Sequence, residues 1–190
     1  MSQSVSGRLR CQDALLSAQS SVLLIVDMQE KLLPAIHDTE NLRQRVARLA
    51  QAARLLSVPV WATEHWPKKI GATHPELSRH VDHIVAKTHF NACREVAFLQ
   101  DWPADRPRVL LAGTEAHICV LQTGLGLARA GYQPVLLVDA VGSRRTLDHD
   151  TACQRWQQYG LEIATVEMAL YEWLETPAHP AFKAVLSLVK

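Results

Sequence analysis

The sequence lacks an excess of charge of either sign. Lys and Arg number 20 against 19 Asp and Glu, for a net charge of +1. No basic run is longer than Lys68-Lys69 or Arg144-Arg145, so the electrostatic footprint of nucleic acid or an anionic membrane is missing. Long apolar runs are missing too: stretches such as Val22 to Val26 fall far short of a transmembrane span. The first 21 residues are polar and mixed, without the apolar core and cleavage site of a signal peptide, and none is expected. Cysteine is scarce and scattered. Cys11, Cys93, Cys119 and Cys153 form no C-x-x-C pair, which implies free thiols in a reducing, cytoplasmic setting. Cys11, Cys93 and Cys153 read as packing or surface residues.

What is present is a globular composition, 48% hydrophobic and 21% charged over 190 residues, enough for one domain with a sizeable core. Residues 1–20 read as an N-terminal extension and 21–190 as a single domain. Short apolar runs alternate with amphipathic stretches. Strands are expected at 21–27, 58–63, 83–87, 108–112, 133–139 and 161–165. Leu42, Val46, Leu49, Ala53 and Leu56 recur at helical spacing between the first two. Further helices are expected at 94–100, 119–130, 147–159, 166–174 and 180–189, with Gly131 and Gly160 as C-terminal caps. This alternation predicts an α/β fold: a doubly wound, mostly parallel six-stranded sheet in a three-layer α/β/α arrangement. Residues 64–80, with two prolines and Gly71, read as an irregular loop over one rim of the sheet.

Three ionisable residues close three expected strands: Asp27, Lys87 and, just beyond the fourth strand, Cys119. Ligands in open parallel sheets bind outside the carboxyl ends of the strands, so all three belong on one functional rim. Cys119 falls at the start of an expected helix, where unpaired N–H groups favour a thiolate. It is therefore expected to be the most readily alkylated thiol. Lys87 would steady that thiolate, and Asp27 would carry its proton. Each residue also has an ordinary reading: Asp27 as a turn cap, Lys87 as a solvated lysine, Cys119 as a small core residue.

Other motifs point elsewhere. Gly124-x-Gly126 does not follow a strand, so close helix packing is a better reading than a dinucleotide loop. His80-x-x-His83 has the spacing of metal ligands but no third partner. Trp61, Trp102, Trp156 and Trp173 read as core, whereas Trp66 sits in the irregular loop.

Val26-Asp27-Met28-Gln29, Lys87 with Phe90-Asn91-Ala92, and Gly113-Thr114-Glu115-Ala116-His117-Ile118-Cys119-Val120 resemble the signature segments of the isochorismatase-like cysteine hydrolases. Glu64, Pro67-Lys68 and Gly71, with the ending His179-Pro180-Ala181-Phe182-Lys183, resemble the isochorismatase domain-containing subgroup. The resemblance implies a Rossmann-like hydrolase fold with strand order 3-2-1-4-5-6. It also implies an Asp27, Lys87, Cys119 triad cleaving a C–N amide-type bond of a small molecule through a thioester. Backbone N–H groups of Glu115 and Cys119 would form the oxyanion hole, beside a cis peptide at Thr114–Glu115. Glu64, Trp66, Phe90 and His117 are the expected substrate contacts. The metal-binding Asp-x-His of nicotinamidases is replaced by Thr63-Glu64-His65, so neither metal nor cofactor is expected. Cys119 argues against isochorismate, whose hydrolases lack the cysteine. A homo-oligomer is expected, with an interface near the catalytic loops. The alternatives on the same fold are an idle oligomeric interaction protein and a thiol redox sensor.

Overall fold

The computed structural model describes residues 15–189; Cys11 and most of the expected extension lie outside the described residues. Six parallel strands form one sheet in the order β3-β2-β1-β4-β5-β6. They are β1 (Ser21–Val26), β2 (Val60–His65), β3 (His83–Lys87), β4 (Arg108–Thr114), β5 (Gln133–Gly142) and β6 (Glu162–Ala164). The order reverses between β1 and β4, so their carboxyl ends open side by side.

The central strand explains the layering. All six residues of β1 are buried, as a parallel strand covered on both faces requires. Alternate side chains point to opposite faces. Leu23 and Ile25 join one core, with α1 (Thr39–Leu55), α6 (Val166–Leu174) and α7 (Phe182–Val189). Val22, Leu24 and Val26 join the other, with α4 (Leu121–Arg129) and α5 (Thr146–Gln158). Each fully buried Leu or Val contributes about 1.5–3 kcal/mol of transfer free energy.

Residues 64–80 are not wholly irregular. They carry two single-turn helices, α2 (Pro67–Ile70) and α3 (Pro75–Ser78), each opened by a proline. The helix expected at 94–100 does not form. A 3-10 turn at Ala92–Arg94 ends where Glu95 is extended, with φ −84 and ψ 124. The chain then runs in turns that send Phe98 and Trp102 into the core against Trp61. The C-terminal helix packs on α1 and α6 of its own chain, with Val185 buried. Packing begins before residue 21: Leu16 is buried, and its N–H donates to Glu172.

Candidate active site

The site grows from the carboxyl ends of β1, β3 and β4. Directly after β1 the chain turns with Asp27 at φ 50, a left-handed conformation that Asp tolerates better than most residues. Its carboxylate is fully buried. Oδ1 accepts from the Thr63 hydroxyl at 2.7 Å and Oδ2 from Lys87 Nζ at 2.7 Å. Its backbone is fixed as well, because Asp27 N–H donates to the Thr63 carbonyl and its own carbonyl accepts from the Thr114 hydroxyl.

Lys87 is on the edge strand, two strands from β1, and reaches inward with its long stem. Its side chain has no exposure. Nζ lies 2.7 Å from Asp27 Oδ2, 3.3 Å and 3.5 Å from the His89 and Phe90 carbonyl oxygens, and 3.5 Å from Cys119 Sγ. A buried ammonium is tolerable only with such a shell of acceptors and a counter-charge. The loop supplying the two carbonyls is held from both sides. Glu95 Oε1 accepts from the Thr88 and His89 N–H groups, and the Thr123 hydroxyl accepts from Ala92 N–H. These bonds hold the Glu95 carboxyl at about 2, well below the ordinary range, the His89 N–H being the largest cause and the Thr88 N–H the next.

Cys119 sits in a π-turn, Ala116–Val120, that leads from the cis peptide Thr114–Glu115 into α4. Its side chain is buried, at 5% exposure. Burial pushes the thiol up to about 12, and the Asp27 carboxylate pushes the same way against the opposing Lys87 ammonium. This corrects the expectation of a resting thiolate. The helix terminus is favourable, but loss of water outweighs it, and the thiol waits protonated beside a carboxylate able to take its proton.

The remaining expected contacts have separate places. Glu64 turns to the loop, accepting from Thr73 N–H and hydroxyl. The backbone N–H of Trp66 donates to the Lys87 carbonyl, and its 44% exposed ring lies under the Lys69 ammonium. Phe90, half exposed, stacks on His65. His117 Nδ1 meets the buried Ser143 hydroxyl at 2.9 Å. The Glu115 carboxylate is ion-paired with Arg144.

Two residues were not anticipated. His65 opposes Lys87 in the β2–β3 register, and its Nδ1 is buried without a hydrogen-bond partner. Burial, reinforced by Lys87, pushes its pKa down, so the ring is neutral at neutral pH. Gln29 is fully buried and ties strand ends to loop: its amide nitrogen donates to the His65 and Gly71 carbonyls, and its oxygen accepts from His65 N–H. Gln29 belongs to a motif visible in sequence, whereas nothing in sequence singles out His65. Among the described residues, no three of His, Cys, Asp and Glu gather closely enough to hold a metal ion, and no helix is long and apolar enough to cross a membrane.

The isochorismatase domain profile matches residues 21–168. Isochorismatase domain-containing protein 2A of Mus musculus is 35% identical over 172 residues, covering 90% of this chain and 84% of that protein. A MAR1 ribonuclease structure from Caenorhabditis elegans superposes with a TM-score of 0.87 at 34% identity, covering 93% and 92% of the two chains. An octameric hydrolase of unknown specificity from Escherichia coli, YcaC, superposes at 0.84 with 22% identity, covering 92% and 89%, and shares the fold.

Proposed function

The chain belongs to the isochorismatase family, and on that premise we propose that it is a cysteine hydrolase cleaving a C–N amide-type bond of a small molecule. The observation that carries the reading is the buried Lys87 ammonium, 2.7 Å from the Asp27 carboxylate and 3.5 Å from the Cys119 sulfur. Asp27 takes the thiol proton as Cys119 Sγ attacks the carbonyl carbon. Lys87 offsets the charge left on sulfur. The backbone N–H groups of Glu115 and Cys119 receive the developing oxyanion. Asp27 then returns its proton to the departing amine, and water, deprotonated by Asp27, releases the acid from the thioester. Trp66, Phe90 and His117 border the approach, and Glu64 holds the loop above it. On this reading the chain works in the cytoplasm as a homo-oligomer.

The name of the Caenorhabditis elegans relative suggests a second reading, RNA cleavage. The net charge of +1 gives a polyanion little to bind, and Lys87 is already paired. Small carboxamides, ureido acids and carbamoyl compounds, screened for ammonia release, test the first reading, with single-stranded RNA as the competing substrate. Cys119→Ala is expected to lower amide turnover by roughly 10³-fold or more. RNA cleavage by the wild type that Cys119→Ala abolishes, with no amide turned over, would replace the amide reading.

A further inference from the structure

We propose, resting on the hydrolase reading above, that His65 is a positioning residue: an uncharged ring that seats the Lys87 loop through Phe90, so that adding a proton to it disarms Cys119. It acts through its neighbours rather than on the reacting atoms.

Strand alternation sends Trp61, Thr63 and His65 to one face of β2. Trp61 joins the core that holds Cys119, and the Thr63 hydroxyl donates to Asp27 Oδ1. His65 is thus the next residue outward on the face where the triad meets. The Gln29 amide fixes its backbone N–H and carbonyl, and Lys87 stands opposite it in the sheet register. Its ring stacks on Phe90, with centroids 5.2 Å apart and planes inclined by 28°. The Phe90 carbonyl oxygen lies 3.5 Å from Lys87 Nζ, and Nζ lies 3.5 Å from Cys119 Sγ. A short path therefore leads from the His65 ring through Phe90 and Lys87 to the sulfur.

The surroundings of the ring suit its neutral form. Nδ1 is buried and has no hydrogen-bond partner. A proton there would be a buried donor without an acceptor, so the neutral ring carries its proton on Nε2. Charged groups face the ring from each neighbouring element. Lys87 on β3 opposes a second cation, whereas Asp27 after β1 and Glu95 in the loop after β3 would favour one. Both acids are already engaged, Asp27 with Lys87 and Thr63, and Glu95 with His89 and the Thr88 N–H. On its own strand Glu64 is turned to Thr73, and beyond it Lys69 stands over the Trp66 ring. Burial first, and Lys87 second, accordingly hold the His65 pKa below the ordinary 6.5.

Protonation reverses this arrangement. An imidazolium needs an acceptor at Nδ1 and distance from the Lys87 ammonium, and it finds both in water, outside the stack. Its departure frees Phe90, whose carbonyl then no longer steadies Lys87 Nζ. An ammonium displaced from Asp27 and the sulfur no longer offsets the thiolate charge as it forms.

The full chain, labelled with iodoacetamide from about pH 8 to about pH 5 and mapped by peptide mass, tests the proposal. Labelling of Cys119 needs no hydrolysable substrate, so its result stands apart from the amide reading. His65→Phe keeps a ring to stack on Phe90 but cannot take a proton. Across that range the wild-type rate at Cys119 should fall roughly threefold or more relative to His65→Phe, with the Cys93 ratio constant. A Cys119 ratio that stays constant from one end to the other overturns the proposal. An NMR titration of the His65 ring in the wild type needs no variant. Its midpoint is expected below 6.5, and a midpoint at or above that value overturns the proposal equally.

Discussion

At the scale of single residues, the protonation of two thiols carries a consequence for stability. Cys119 and Cys93 titrate at about 12 in the fold against an ordinary 9.0. Between those values the unfolded chain has lost protons that the folded chain still holds. Stability therefore falls as pH rises from about 9 towards 12, and is insensitive to these groups below pH 9. Urea midpoints measured from pH 7 to 11 should decline above pH 9 in the wild type. The decline should be shallower in a Cys93→Ser, Cys119→Ser double variant; parallel curves would show that neither thiol contributes. That Asp27, Lys87 and Cys119 share one rim was legible in sequence because Asp27 and Lys87 close apolar runs at the carboxyl ends of strands and Cys119 follows in the turn after the next strand. The state of Cys119 was not legible. Helix position can be read from spacing, but burial depends on Leu121, Val120 and Ala116 closing around the sulfur. His65 escaped notice for a related reason: its role comes from standing opposite Lys87, a register set by the whole sheet.

At the scale of elements, the strands run further at their carboxyl ends than their apolar residues suggest. β4 continues through Gly113 and Thr114, and β5 to Gly142, because Gly113 pairs with Val141 and Thr114 with Gly142 beyond a bulge. Polar and small residues there are held by neighbouring strands rather than by their own propensity. Gly113 is the point of closest approach. At φ +115, a Cβ on it would stand 2.2 Å from the Val26 carbonyl oxygen, one residue before Asp27. Gly113→Ala is thus expected to displace the end of β1, costing roughly 2–4 kcal/mol of stability. It should also lower hydrolase turnover in the molecules that remain folded. A thermal melt paired with turnover corrected for folded fraction checks this, and wild-type values in both would sink it. The Gly124 and Gly126 pair obeys the same logic on α4. A Cβ on Gly124 would strike the Trp156 ring, and one on Gly126 the Asn91 side chain beside the Lys87 loop. The failed helix at 94–100 shows the opposite case. Its residues have the right period, but Glu95 bonds back to Thr88 and His89 and breaks the run.

For the whole molecule, the three-layer order was legible because a parallel strand buried on both faces reads as an unbroken apolar run, and β1 does so from Val22 to Val26. Where apolar surface remains was not. Apolar as both stretches are, Pro134–Val138 is largely interior and the C-terminal helix packs on its own core, so neither offers a broad partner surface. Several exposed apolar groups lie on the edge strand, its following loop and the adjoining strand end, namely Ile84, Phe90, Val96 and Trp66, while others such as Leu147, Tyr159 and Met168 stand on the helices. β3 is also an unpaired sheet edge, a surface that proteins usually cover. A second copy seated on this edge would cover it. Light scattering at micromolar concentration should give a mass of at least two chains. Ile84→Lys combined with Val96→Asp, two changes on that edge away from Asp27, Lys87 and Cys119, should lower that mass and reduce turnover together. A single-chain mass for the wild type, with turnover unchanged on dilution, would remove both the assembly and its part in catalysis.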